Sequence, residues 1–407
     1  MKTPRFAVLS HVLPPSPSGQ AVMLYRILSE IDPNLYYLID SRGESLLQIQ
    51  PEALRLPAKT YSLAPETLFS GPFIRFLAPL LSLLKLFSRI FKRAEQILTV
   101  LESEPATTAL IACTGDLLDL PAGFLACRRA RLPFYAYLFD DYVFQWTGNY
   151  RRFAKLVAPL IFKNAAGVIG PNEFICAEYQ QRYGVRPTLV RNPCAKSELA
   201  RTPNIRWPNE SGRIKIIYTG AIYHANFDCF RNLLRALDEL SDYPLELHLF
   251  TAQTVAELAQ HQIQSEKLFI HAHVPYSEIL EQQHRADLLF LPLAFEAPIP
   301  EVIRTSAPGK MGEYLASGRP VLAHVPPDSF VAHYLQKYQC GWLASQNNSH
   351  RLAEVIKALI LEAGSTQVIT QRAYRQARLD FTPQAASAEI LSMFTRPSTE
   401  GKLNEYF

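Results

Sequence analysis

The sequence predicts an α/β protein of two successive doubly wound units facing across a cleft, and three observations carry that expectation. Short apolar runs alternate with segments of helical period along the chain, the pattern of parallel sheets covered by helices. A polar, proline-rich stretch at 191–212, RNPCAKSELARTPNIRWPNESG, interrupts the alternation, which then starts afresh. The chain's 407 residues also exceed what one hydrophobic core usually organises.

In the first half, strands are expected at 6–13, 35–40, 109–114, 134–139, 167–170 and 188–190, because each is a short apolar run bounded by turn residues. Helical period falls between them at 20–30, 74–102, 121–130, 150–164 and 173–183. The second half repeats the scheme, with strands at 214–219, 245–251, 268–272, 288–291 and 320–324. Its helices are expected at 228–239, 255–262, 276–283, 309–316, 329–338 and 350–363. The domains are therefore an N-terminal unit over 1–195 and a C-terminal unit over 212–379. A tail helix within 380–407 is expected to pack back on the first unit. Ligands of such sheets bind beyond the carboxyl ends of the strands, and two facing units can share one ligand.

A hydrophobic content of 48% with 19% charged residues describes a folded chain. The net charge of +4 is mild, and no basic tract is interleaved with aromatics, which argues against a nucleic-acid partner. Six dispersed cysteines without a CxxC pair suit a reducing compartment, where Cys acts as a small core residue. The first residues read as a strand rather than a signal peptide, because Pro14 and Pro15 end the apolar run early; a cytoplasmic location is expected. The most apolar stretch, 73–97, is broken by Pro79 and by Arg75, Lys85, Arg89, Lys92 and Arg93, so it cannot span a membrane. Its Phe76, Leu80, Leu83, Leu84, Phe87, Ile90 and Phe91 recur near helical period. Two readings stay open: an interfacial helix on an anionic membrane surface, which would hold the protein peripherally on the inner face, or a helix facing the core.

The most informative segment is 305–322, TSAPGKMGEYLASGRPVL. Ser306 is placed to N-cap a helix with Pro308 in its first turn, which makes the helix start an anion site suited to a diphosphate. Lys310 adds a full charge there, and Glu313 lies further along to accept ribose hydroxyls. The alternative is an i,i+3 surface ion pair between Lys310 and Glu313.

Residues 306–322, S-x-P-x-K-x-x-E-Y-L-A-S-G-R-P-V-L, resemble the nucleotide-sugar motif of family 4-type retaining glycosyltransferases with the GT-B fold, two Rossmann-like domains. The resemblance implies that Glu313 binds ribose and that Ser306 and Lys310 meet the diphosphate. Thr305 stands where many members carry a glutamate near the transferred sugar. Ile216, Ile217, Tyr218, Thr219 and Gly220, with Asn226 after them, resemble the first strand and glycine loop of the donor domain. Gly220 would let the backbone approach the phosphates. Tyr223, His224 and Asn226 replace the usual Arg and Lys, leaving Lys310 and Arg304 as phosphate-facing cations; His224 reads rather as an exposed loop histidine. The segment 269–275 resembles the strand lining the nucleobase pocket, placing Val274 near the base and Phe269 and Ile270 in the strand core. Residues 168–172 and 191–193 resemble the closing strands of the first domain.

In that domain, Gly19 of PPSPSGQ fits the family's glycine loop, or a plain tight turn. Asp140 occupies the place where many relatives have a histidine beside the transferred sugar; it would orient a hydroxyl or cap the next helix. Asp116 is a secondary candidate. The implied activity is retaining transfer of a hexose from a nucleotide-diphosphate sugar to a lipid-linked acceptor or a growing surface polysaccharide or glycolipid. Asp140 and Lys310 would be the catalytic residues, with no metal and no cofactor beyond the nucleotide-sugar co-substrate. The rivals are a nucleotide-sugar epimerase on the same fold and a non-catalytic two-domain small-molecule-binding protein. A dinucleotide oxidoreductase lacks its G-x-G-x-x-G signal here.

Overall fold

A computed structural model describes residues 4–42, 54–64, 78–203, 205, 207, 212–272, 274 and 276–395, with the side chains of 78–84, 276 and 277 outside the description. The chain divides into unit 1, Met1–Arg191 with Gln384–Phe407, and unit 2, Asn192–Pro383.

Unit 1 runs β1 (Phe6–Ser10), α1 (Gly19–Leu28), a 3₁₀ turn (Pro33–Leu35), β2 (Tyr36–Asp40), β3 (Thr60–Ser62), α2 (Ala78–Ser103) and β4 (Ala109–Cys113). It continues with α3 (Asp119–Ala130), β5 (Phe134–Tyr137), α4 (Gly148–Asn164), β6 (Gly167–Gly170), α5 (Glu173–Tyr183) and β7 (Thr188–Leu189). The strands pair in parallel in the order β3-β2-β1-β4-β5-β6-β7. Strands such as FAVLS and ALIAC are buried along their whole length, as a sheet covered on both faces requires.

The helix α2 settles part of the reading of 73–97. Leu86, Ile90, Ala94, Ile97 and Leu101 recur at helical spacing and enter the core, so this stripe is a core face. Phe87 and Phe91, one position later in each turn, point outwards. Arg93, expected among the interleaved surface cations, is buried instead. Residues 73–77 and the side chains of Leu80, Leu83 and Leu84 lie outside the described residues, as does Phe76. Among the described residues no helix is long and apolar enough to cross a membrane.

Unit 2 runs α6 (Lys196–Ala200), β8 (Ile214–Thr219), α7 (Phe227–Glu239), β9 (Leu245–Phe250), α8 (Val255–Gln260), β10 (Leu268–His271), α9 (Tyr276–Arg285) and β11 (Leu288–Pro292). Then follow α10 (Pro300–Thr305), α11 (Lys310–Ala316), β12 (Val321–His324), α12 (Phe330–Tyr338), β13 (Trp342–Ala344), α13 (Ser349–Leu361) and α14 (Ala363–Asp380). Its parallel sheet has the order β10-β9-β8-β11-β12-β13. The last helix, α15 (Pro383–Met393), places Ala386, Ile390 and Met393 in the core that holds Phe6 and Tyr135 of unit 1. The expected architecture of two parallel-sheet Rossmann-like units is therefore the observed one.

Three expectations are corrected. The short elements β3, α6, α10 and β13 carry too few residues to show a period and were not anticipated. Phe269 is exposed, because it lies on the non-core side of an edge strand, where it stacks on His248 with ring centroids 5.0 Å apart. The helix expected at 309–316 is α11, but Ser306 is not its N-cap: it stands four residues before Lys310, and Gly309 holds the cap position. Pro308 explains the gap: it offers no N–H to a continuing helix and forces Ala307 away from helical geometry. All six cysteines are free, and Cys176 alone among them is not fully buried.

Candidate functional site

In unit 2 the strand order reverses between β8 and β11, and the loops beyond those strands assemble a compact polar cluster. Gly220 follows β8 with φ +122, a conformation that side chains disfavour. A Cβ there would lie 2.9 Å from the Lys310 Nζ. The ammonium sits 3.9 Å from the centroid of the Tyr218 ring. Among the described residues Lys310 makes no ion pair, and burial pushes its pKa down to about 7 against the opposing pull of Glu313. The Lys310–Glu313 pair expected as an alternative is thus not a surface ion pair: Lys310 is half-buried and Glu313 is buried.

Buried partners fix the other side chains. Gln283 Nε2 donates to Glu313 Oε2 at 3.1 Å and to Thr219 Oγ1 at 3.2 Å. The Thr219 backbone N–H donates to Tyr314 Oη at 3.0 Å, tying α11 to the end of β8. Asn226 holds the β8–α7 loop: its Oδ1 accepts from the Tyr223 N–H at 2.9 Å, and its Nδ2 donates to Tyr218 Oη at 3.2 Å. The structure therefore brings Gly220, Asn226, Lys310 and Glu313 together.

Thr305 and Ser306 stand differently from their expected setting. Thr305 closes α10, buried, with Oγ1 donating to the Glu301 carbonyl at 3.2 Å. Ser306 is the C-cap of α10 and not an N-cap, with an extended backbone (φ −64, ψ 134). The loop after it is held by Asn192 Nδ2, which donates to the Ala307 carbonyl at 2.9 Å. Because α11 has only seven residues, the positive charge at this place belongs to Lys310 more than to a helix start. Arg304 is half-buried in the last turn of α10. His224 is exposed and meets Tyr223 edge-on. Val274 is half-buried beyond the end of β10.

In unit 1, Gly19 opens α1, and a Cβ there would meet nothing within 4 Å; its φ is not positive, so no tight turn demands a glycine. Asp140 follows β5 with an exposed side chain. It does not cap the next helix, whose N-cap is Thr147. Asp141 instead holds the turn after β5: its Oδ1 accepts from the backbone N–H of Val143 and Phe144 at 2.8 and 2.9 Å.

A second polar cluster, missed in the sequence, lies beyond β1 and β4, where the strand order of unit 1 reverses. His11 is buried against Gly115 (φ +111), where a Cβ would come within 2.3 Å of the imidazole Cε1. Burial lowers the His11 pKa, so the ring is neutral, and its Nδ1 has no hydrogen-bond partner among the described residues. Arg93 Nη1 bonds Asp116 Oδ1 at 2.5 Å and Asp119 Oδ1 at 2.6 Å. Ser41 Oγ donates to Asp119 Oδ2 at 3.0 Å, and Gln20 Nε2 donates to Ser10 Oγ at 2.9 Å. Only Asp116 was a candidate beforehand. A histidine directly after the first strand was the signal available for His11; Arg93 was hidden in an apolar helix.

The comparisons with known proteins fit this geometry. Residues 213–362 match the model of the family described as glycosyl transferases group 1, a span that begins at β8 and contains the Lys310 cluster. Among solved structures, HepE of Anabaena in complex with UDP and glucose superposes with a TM-score of 0.64 at 16% identity, covering 96% of this chain and 99% of that one. Sucrose-phosphate synthase of Thermosynechococcus elongatus gives 0.67 at 12% identity over 96% and 98%. The lipopolysaccharide outer core galactosyltransferase WaaB gives 0.62 at 13% identity over 96% and 99%. No curated protein matches by sequence. The architecture is the GT-B fold. The family match lies within unit 2, and the structural likenesses, at 16% identity or less, show the fold.

Proposed function

We propose that the protein is a retaining, family 4-type glycosyltransferase that moves a hexose from a nucleotide-diphosphate sugar to a lipid-linked acceptor or a growing surface polysaccharide. The observation that carries this reading is Lys310: a half-buried cation beside Gly220, without an ion-pair partner among the described residues, three residues before a buried glutamate. A buried ammonium with a depressed pKa gains most from an anion placed against it, and a diphosphate is such an anion. Gly220 lets backbone approach it, and Glu313, oriented by Gln283, would accept the ribose hydroxyls.

In the proposed reaction Lys310 stabilises the charge that develops on the departing diphosphate, which is the main demand of this chemistry. The acceptor oxygen attacks from the face the diphosphate leaves, and the leaving phosphate takes its proton, so no protein nucleophile and no metal is required. Thr305 and Ser306 would border the sugar and phosphates, Val274 the base, and Gly19 and Asp140 would serve the acceptor and the transferred sugar. The proposed place of work is the inner face of the membrane.

A thermal-shift screen of UDP, GDP and their sugars tests the donor site, because a ligand that binds the native state raises its Tm. The donor that shifts the protein is then offered with candidate acceptors, and the anomeric configuration of the product is read by NMR. No shift with any nucleotide would sink the donor assignment; an inverted anomer would sink retention alone.

A further inference from the structure

The outer face of unit 1 carries an apolar strip that the donor site leaves unexplained. On α2, Phe87 and Phe91 are 39% and 48% exposed, and on α4, Leu156 and Leu160 are 67% and 60% exposed. The two helices lie side by side at this point, because Phe87 packs edge-on against Phe153 of α4 with ring centroids 5.6 Å apart. Leu156 and Leu160 stand three and seven positions after Phe153 and so continue its flank, while Phe87 and Phe91 stack one turn apart on theirs. Large aliphatic and aromatic side chains left in water on neighbouring helices mark an interaction surface.

The charge around the strip says what covers it. Lys85 and Lys92 are exposed on α2, and Arg152, Lys155 and Lys163 are exposed on α4. The helix α4, GNYRRFAKLVAPLIFKN, contains no acidic residue. The exposed acid of this part of α2, Glu95, is paired with Arg129. A second copy of the chain would set these cations against themselves. A polyanion without hydrocarbon would leave the four apolar side chains in water. An anionic bilayer satisfies both, taking the apolar tips between its headgroups and the cations among its phosphates.

We propose that α2 and α4 together form a docking surface for an anionic lipid bilayer. The surface rests on the proposed lipid-side acceptor for its purpose, and on these exposed residues alone for its physics. It differs from a single interfacial helix over 73–97, since half of it belongs to α4 and the core face of α2 takes no part.

Flotation of the full chain with vesicles of phosphatidylglycerol and phosphatidylcholine, against phosphatidylcholine alone, is the test. The wild type should float with the anionic vesicles only, and less at high salt. Leu156→Ser with Leu160→Ser, and separately Phe87→Ser with Phe91→Ser, should each lower partitioning about tenfold. Arg152→Glu with Lys163→Glu should lower it by about the same factor. An unchanged Tm shows that each variant folds. The proposal is overturned if the wild type does not float, if it floats equally with neutral lipid, or if the α4 variants float like the wild type. A dimer that dissolves in the Leu156 variant, without flotation, overturns it in favour of self-association. Nucleotide binding is read separately: flotation without a UDP or GDP shift leaves the surface standing and removes the donor reading.

Discussion

The strand order reverses at equivalent places in the two parallel sheets, between β1 and β4 in one unit and between β8 and β11 in the other, yet the two places carry opposite electrostatics. In unit 1, Arg93 is spent on the two acids Asp116 and Asp119. In unit 2, Lys310 has no ion-pair partner among the described residues. The fold supplies the location in both cases; the loops decide what it attracts. An unpaired ammonium suits a diphosphate, and a carboxylate-rich corner with a neutral histidine suits hydroxyl groups. The difference also predicts which charge serves stability and which serves ligand binding.

Arg93 should show the largest effect, and on stability. Asp119 is fully buried, so Arg93→Met strands its carboxylate and should cost about 3–5 kcal/mol in urea unfolding. A loss under 1 kcal/mol (about that of a surface pair) would break the comparison. Lys310→Ala should do the reverse. Its kcat should fall about 100-fold, as for other groups that stabilise developing negative charge. Its Tm should rise, because a cation that burial disfavours has been removed. A Tm that fell in step with activity would make Lys310 a structural residue.

Much of this was legible in the chain, and the exceptions have physical causes. Apart from the short edge strands β3 and β13, the strands of both sheets are apolar runs that local pattern reveals, and β8 and α5 begin and end where expected, α5 with Asn172 as N-cap and Gly184 in the left-handed conformation as C-cap. Gly220, Lys310 and Glu313 were legible because they sit in one short motif or its companion loop. Gln283 was not, since it reaches Glu313 from 30 residues away on a helix without a signature. Arg93 was misread because its neighbours Ile90 and Ala94 announce an apolar face, and only tertiary packing shows that two acids wait beside it. Ser306 was misplaced because α10 is a six-residue helix with its own Pro at the start, too short to show a period.

Glu313 tests the proposed division of labour within unit 2. Glu313→Ala should raise the donor KM about tenfold with a smaller change in kcat, since it would bind a part of the donor that does not react. Gln283→Leu, which removes the amide that orients Glu313 at 3.1 Å, should move KM in the same direction by less. An effect of Glu313→Ala confined to kcat would move this residue to the reacting end.

The smallest expected effect is also the most specific to an unpaired lysine. With a pKa near 7 in the free protein, Lys310 is protonated below that pH and loses its charge above it. A diphosphate binds the protonated form better, so donor affinity is full on the acid side and declines as pH rises through 7. The decline ends where the lysine of the complex, its pKa raised by the bound anion, gives up its own proton. Between pH 7 and about pH 8 the donor Kd should weaken about fivefold. A nucleotide sugar is the ligand to use, because its diphosphate has no proton to lose in this range. Calorimetry across the window should show the slope in the wild type and a flat line in Lys310→Ala. The same slope in the variant would mean that another group binds the anion, and the contrast between the two sheet ends would then lose its unit 2 half.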